Sequence, residues 1–250
     1  MVATVLAIGH SHLGAVQEAY EQRVGGDPPY RLVSLQLLGR GIPTVVQQDG
    51  RPEYPPQVDE LVKTHMHDAR PDLVALMLEG QQAATLGFAI PARPWDFLLP
   101  SETGPPSLEG DQLPFDLVTE IARAHVGHIA RFLDRIRAVL GPRVVAISPP
   151  PVYGDDAILE RKIALSPDLR DAVMATGLAP RAWRRRIWVV MVTALAEACL
   201  ARGIAYLPPP PGATDAEGFL PFPLLSDALH GNPRYGALVL AQLADWIGKT

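Results

Sequence analysis

Five short apolar runs, each stopped by glycine or proline and separated from the next by longer stretches of chain, constrain the fold more than any other feature of the sequence. They are Val2–Ile8 before Gly9, Arg31–Leu38 before Gly39, Asp72–Leu78 before Glu79-Gly80, Arg143–Ser148 before Pro149, and Ile204–Leu207 before Pro208. In Val2–Ile8 the apolar positions are nearly continuous instead of alternating, which is the pattern of a strand buried on both faces, as in a parallel sheet, and Arg31–Leu38 is a second β-rich run. Helical patterns fill most of the intervals. Leu13–Arg23 follows the first run, and Pro56–Ala69 places Val58, Leu61 and Val62 on one side. Phe115–Leu140 is a long amphipathic segment ended by Gly141-Pro142, and Ile187–Arg202 is a mostly apolar one closed by Gly203. Pro233–Gly248 opens with proline at a helix start and carries Leu238, Leu240, Leu243 and Trp246 on one face. Strands alternating with helices imply right-handed crossovers, and so an α/β domain with a parallel sheet of about five strands covered on both faces. No repeat or linker divides the 250 residues, so a single domain spanning 1–250 is expected.

Composition narrows the partners. The sum of 22 Lys and Arg against 27 Asp and Glu leaves −5, so no overall positive field favours nucleic acid or anionic lipid. The apolar stretch Val189–Leu200 is interrupted by Thr193 and Glu197, and no membrane span is expected. The single cysteine, Cys199, cannot form an internal disulfide, and the opening residues lack a secretory pattern, so the expected location is cytoplasmic.

In a doubly covered parallel sheet the ligand lies beyond the carboxyl ends of the strands, which directs attention to five loops. Gly9-His10-Ser11-His12 follows the first strand and begins a helix, where free N–H groups and the positive end of the helix dipole lie. Ser11 there is a candidate nucleophile, or simply a helix cap. Asp227-Ala-Leu-His230 lies between the last strand and the last helix. At that spacing a carboxylate can hold an imidazole in one tautomer while the imidazole takes a serine proton. Two other features allow bland or functional readings. The basic run Arg181, Arg184, Arg185 and Arg186 is either a solvated face or an anchor for an acidic substrate group, and Trp95 with Phe97 either pack the long 79–111 loop down or wall a substrate site.

Taken together, Ser11 after the first strand, glycine after the second, Gly80 with an amide after the third, and the segment Ser226-Asp227-Ala-Leu-His230-Gly-Asn232-Pro-Arg-Tyr235-Gly236 before the last helix resemble the SGNH (GDSL-like) hydrolase superfamily. Val144-Val-Ala-Ile-Ser-Pro-Pro-Pro151 is similar to that family's fourth strand and loop. The resemblance implies a three-layer α/β/α sandwich and a serine esterase, acyl-ester hydrolase or acyltransferase acting through an acyl-serine, without cofactor. The substrate would be a small-molecule, glycan or lipid ester. By position, Ser11 would be the nucleophile, His230 the general base and Asp227 its orienting acid. Gly39, Gly41, Gly80, Gln81 and Gln82 would supply oxyanion or substrate contacts, with His10 and His12 beside them.

Two positions differ from the usual family pattern. His10 stands where aspartate is common, and Glu79-Gly80-Gln81-Gln82 offers glutamine where asparagine is common, on a stem one methylene longer. The alternative reading is accordingly a binding protein of the same fold with attenuated catalysis. A metal-dependent hydrolase ranks third, because His10-x-His12 at a strand end is a zinc-ligand spacing, while His65, His67, His125 and His128 fall within expected helices.

Overall fold

The computed structural model describes residues 2–37, 43, 45–78, 86–164 and 167–249. Its centre is a five-stranded parallel sheet formed by β1 (Ala3–Gly9), β2 (Tyr30–Gln36), β3 (Leu73–Met77), β4 (Val144–Ile147) and β5 (Ala205–Leu207). The spatial order is β2-β1-β3-β4-β5. Leu6 lies opposite Val33 of β2 and Val74 of β3, so the middle of β1 is enclosed on both edges and on both faces. Val5, Leu6 and Ile8 are fully buried, each contributing about 1.5–3 kcal/mol by leaving water. The nearly continuous apolar run of Val2–Ile8 therefore has the cause expected of it.

Helices cover both faces. One layer is α1 (Leu13–Glu21) packed against α7 (Pro233–Lys249). The other contains α2 (Pro56–Ala69), α3 (Phe115–Ile136) and α6 (Arg181–Leu200), with α3 and α6 in extensive contact. Two shorter helices, α4 (Asp156–Ile163) and α5 (Pro167–Thr176), precede α6. A Cβ on Gly236 of α7 would collide with the Ala15 carbonyl of α1, so glycine is what lets these two helices approach backbone to backbone. Among the described residues no helix is long and apolar enough to cross a membrane.

Several boundaries differ from the sequence reading. The long amphipathic helix ends at Ile136, short of Leu140, and the chain leaves it through a turn braced by Arg137, which donates to the Gly141 and Arg202 carbonyls. The helix expected from Ile187 begins six residues earlier, at Arg181, because Pro180 sits at its N-cap. The basic run is therefore its first two turns. A small antiparallel hairpin, Val46–Gln48 with Arg51–Glu53, was not anticipated. Its turn is Asp49-Gly50, both residues with positive φ, a recognised hairpin signal.

The basic run corrects the sequence reading more deeply, since two of its members, Arg184 and Arg186, are buried structural anchors and only Arg181 lies on an exposed face. Arg184 is fully buried and donates to the Ala179 and Gly154 carbonyls and to Asp156 Oδ1 at 2.6 Å. Arg186 donates to Asp96 Oδ1 at 2.8 Å, the Phe97 carbonyl at 2.9 Å and Glu102 Oε2 at 2.7 Å. Arg185 pairs with Glu102, and Arg181 pairs with Glu217 while lying over the Phe219 ring. Burial alone would push the Asp96 carboxyl up, but N–H groups of Leu108, Phe97 and Ser107 together with Arg186 hold it below its ordinary value. Trp95 and Phe97 both pack on Trp183, so the run and these aromatics fasten the described part of the long loop onto α6.

Candidate functional site

Between β2 and β3 the chain crosses over β1, and the reversal of strand order opens a crevice at the carboxyl end of β1. Gly9 ends that strand so close to β3 that a Cβ would lie 2.6 Å from the Met77 carbonyl oxygen. The ladder continues one step further, with His10 N–H donating to Met77 O at 3.2 Å and Leu37 N–H to Gly9 O at 2.8 Å. The backbone then turns sharply: Leu13 N–H bonds to His10 O and Gly14 N–H to Ser11 O, both at 3.0 Å. Ser11 is thus lifted out of the strand just before α1. It does not cap the helix, since His12 occupies the N-cap position and makes no side-chain capping bond.

The facing loop is built by its own carboxylate. Asp227 Oδ1 accepts from the Leu229 N–H at 2.7 Å and the His230 N–H at 2.9 Å, a local turn of the kind Asp readily forms. Ser226 N–H donates to His230 O at 2.8 Å, and Lys162 of α4 donates to Ser226 O at 2.5 Å. Asn232 fixes the exit: its Oδ1 accepts from the Arg234 N–H and its Nδ2 donates to the Pro223 carbonyl, both at 2.9 Å. Lys162 and Asn232 are supports that the sequence reading did not single out, although Asn232-Pro233 at a helix start is itself a capping signal.

These two loops bring Ser11, His230 and Asp227 into one line. Ser11 Oγ lies 2.7 Å from His230 Nε2, and His230 Nδ1 lies 2.8 Å from Asp227 Oδ2 and 2.9 Å from Oδ1. With the proton on Nδ1 donated to the carboxylate, Nε2 is left to accept the serine O–H. Partial burial would raise the Asp227 carboxyl, but bonds from the His230 ring and from the Leu229 and His230 N–H groups outweigh it and hold the group at about 2. The carboxylate is ionised throughout the neutral range.

His10 and His12 are both buried at the site's edge. The His10 ring lies beside Tyr54, with Nε2 3.5 Å from the phenol oxygen. The His12 ring centroid is 4.9 Å from that of His230. Burial, helped by repulsion from His230 and His10 and only partly opposed by Asp227, lowers His12 to about 3, so it is neutral wherever the protein is folded near neutrality. Gly39, Gly41, Gly80, Gln81 and Gln82 lie outside the described residues. His65 and His67 lie on α2 and His125 and His128 on α3, and among the described residues no group of three or more His, Cys, Asp or Glu is arranged to hold a metal ion. Cys199 is buried on α6, and burial pushes its thiol up to about 12, as suits a core residue.

No protein-family model and no curated protein sequence matches the chain. Solved structures do. The periplasmic domain of a lipopolysaccharide acetyltransferase from Salmonella ser. Paratyphi A aligns over 99% of this chain and 84% of its own, at 11% identity and a TM-score of 0.52. A protein described as an acylhydrolase from Bacteroides fragilis aligns over 99% of this chain and 87% of its own, at 11% identity and a TM-score of 0.50. At that identity the likeness is one of fold: both share the α/β/α sandwich described above, the fold that the sequence resemblance led us to expect.

Proposed function

We propose that the protein is a serine esterase or acyltransferase that uses Ser11 as nucleophile, His230 as general base and acid, and Asp227 as the group that orients His230. The observation that carries the reading is the continuous hydrogen-bonded line from Ser11 Oγ through both nitrogens of His230 to Asp227. As Oγ bonds to the ester carbonyl carbon, its proton passes to His230 Nε2. Collapse of the tetrahedral intermediate breaks the bond to the alcohol, which leaves with that proton. Water, or an acceptor alcohol, then loses a proton to His230 and attacks the acyl-serine, releasing Ser11 as His230 returns the proton. Water gives hydrolysis and an alcohol gives transfer. Asp227 keeps the Nδ1–H tautomer and stabilises the imidazolium that forms at each step. In this reading the backbone N–H of Ser11 donates to the developing oxyanion, an interaction whose loss in such sites costs about 2.7–4 kcal/mol of barrier. The descriptions of the two solved structures as an acetyltransferase and an acylhydrolase agree with acyl chemistry.

The test is intact-mass spectrometry after incubation with a fluorophosphonate. One adduct is expected on the natural chain and none on Ser11→Ala or His230→Ala. An adduct that survives Ser11→Ala, or an unlabelled natural chain, refutes the assignment.

A further inference from the structure

The segment that carries Asp227 and His230 is held from one side by α4 and by the loop that leads into it. Leu220 N–H donates to the Val152 carbonyl at 3.0 Å, and Tyr153 and Leu220 form a short parallel bridge. Further along the same segment, Lys162 in the last turn of α4 donates from Nζ to the Ser226 carbonyl at 2.5 Å. The segment is thus gripped at its entrance and again at the residue before Asp227.

The helix that supplies Lys162 is itself fixed at its other end. Asp155 caps it, with Oδ1 accepting from the Ile158 N–H at 3.0 Å, and Leu159 and Ile163 seat it in the core. Arg184 of α6, fully buried, donates to the Gly154 carbonyl at 3.2 Å and to Asp156 Oδ1 at 2.6 Å. A continuous path therefore runs from the Arg184 guanidinium, along α4, through the Lys162 ammonium to the backbone of Ser226. The carbonyl that Lys162 holds belongs to the peptide joining Ser226 to Asp227, and that unit is planar and rigid. Fixing its plane fixes where the Asp227 N–Cα bond begins, and with it the direction in which the carboxylate leaves the backbone. The Ser226 N–H, bonded to the His230 carbonyl at 2.8 Å, holds the other side of the same residue. An ammonium-to-carbonyl bond is charge-assisted and stronger than the neutral bonds of the turn beside it.

We infer that Lys162 is a positioning residue for the proposed reaction, acting through the Ser226 carbonyl to aim Asp227 at His230 Nδ1 and so to keep Nε2 on Ser11. The inference rests on the Ser11–His230–Asp227 reading. A surface lysine that served only stability would behave differently: its loss would change folding slightly and leave each folded molecule fully reactive.

The experiment measures the rate of fluorophosphonate labelling, and kcat and KM for p-nitrophenyl acetate, on the full natural chain, Lys162→Met and Lys162→Arg, each with its thermal midpoint. Lys162→Met should lower the labelling rate and kcat by about tenfold or more, with KM and midpoint nearly unchanged, because a small displacement of a reacting group is costly. Lys162→Arg should recover most of that loss, since it keeps a charged donor of similar reach. Lys162→Gln replaces Lys162→Met should the latter not fold. A Lys162→Met chain that reacts as fast as the natural one overturns the inference and leaves the serine mechanism standing. So does a loss that Lys162→Arg does not recover, or one matched by a fall in the amount of folded protein. A natural chain that takes no label and turns over no ester overturns both.

Discussion

Two acid–base clusters in this molecule are built from similar hydrogen-bonded pairs and differ in everything that matters for chemistry. Asp96 and Arg186 form a pair whose side chains are 0% and 6% exposed, with backbone N–H groups, the Phe97 carbonyl and Glu102 occupying the remaining bonding capacity. Asp227 and His230 are 53% and 27% exposed, and the far nitrogen of His230 is turned to a serine hydroxyl. The first cluster is saturated and enclosed, so it can only hold a loop in place. The second is half open, with the far nitrogen of its imidazole 2.7 Å from the Ser11 hydroxyl. Burial and leftover bonding capacity, rather than charge, separate a strut from a reactive centre.

The comparison is sharpened most by Asp227→Asn. The amide oxygen can still accept from the Leu229 and His230 N–H groups, so the turn is retained, but the amide nitrogen cannot accept from His230 Nδ1. Turnover should fall about 10⁴-fold with little change in thermal midpoint, as steady-state kinetics and calorimetry would record. An unimpaired variant would mean that Asp227 is only a turn residue.

Arg186→Met should invert that pattern. It leaves Asp96 buried without its counter-charge, and stability should drop by about 3–5 kcal/mol in denaturant titration, while each remaining folded molecule keeps the proposed ester turnover of the natural chain. A loss of activity greater than the loss of folded protein would show that the two clusters are coupled.

His12 gives the smallest effect and the one that depends on pH. Its folded value, about 3, lies below the ordinary 6.5, so between these limits the unfolded chain binds a proton that the folded chain does not. Stability is therefore retained above 6.5 and lost as the pH falls towards 3. The loss from this group should reach about 2 kcal/mol by pH 5. Melting curves of the natural chain and His12→Gln should converge in their acid dependence by that amount if the assignment holds, and run parallel if it does not.

What the sequence revealed and what it hid follow the same division. The Asp227–His230 turn is local: carboxylate, imidazole and the N–H groups that shape them lie within four residues, so their spacing was legible. Burial on both faces was legible in β1 because it needs only a run of apolar residues. The α2 boundaries, Pro56 to Ala69, were legible because proline can open a helix but not continue one. The Arg184 and Arg186 anchors were not. The acidic partners of Arg186, Glu102 and Asp96, lie 84 and 90 residues earlier in the chain, that of Arg184, Asp156, lies 28 earlier, and nothing in a cluster of arginines announces partners so distant. Asp49-Gly50 was a missed local signal, since a two-residue turn of that type was visible between the flanking short strands.

The backbone contact between Gly236 and Ala15 gives the site an order of assembly. Ser11 and His230 are 219 residues apart in sequence, and the helices that follow them, α1 and α7, are seated on each other. At about 5–20 residues per second of synthesis, the serine exists for roughly 10 to 45 s before the histidine is made. Throughout that interval the nascent chain carries only an ordinary hydroxyl. Under the proposed mechanism the serine is activated only once the segment carrying Asp227 and His230 has been made and seated, so a copy that ends before His230 is chemically silent.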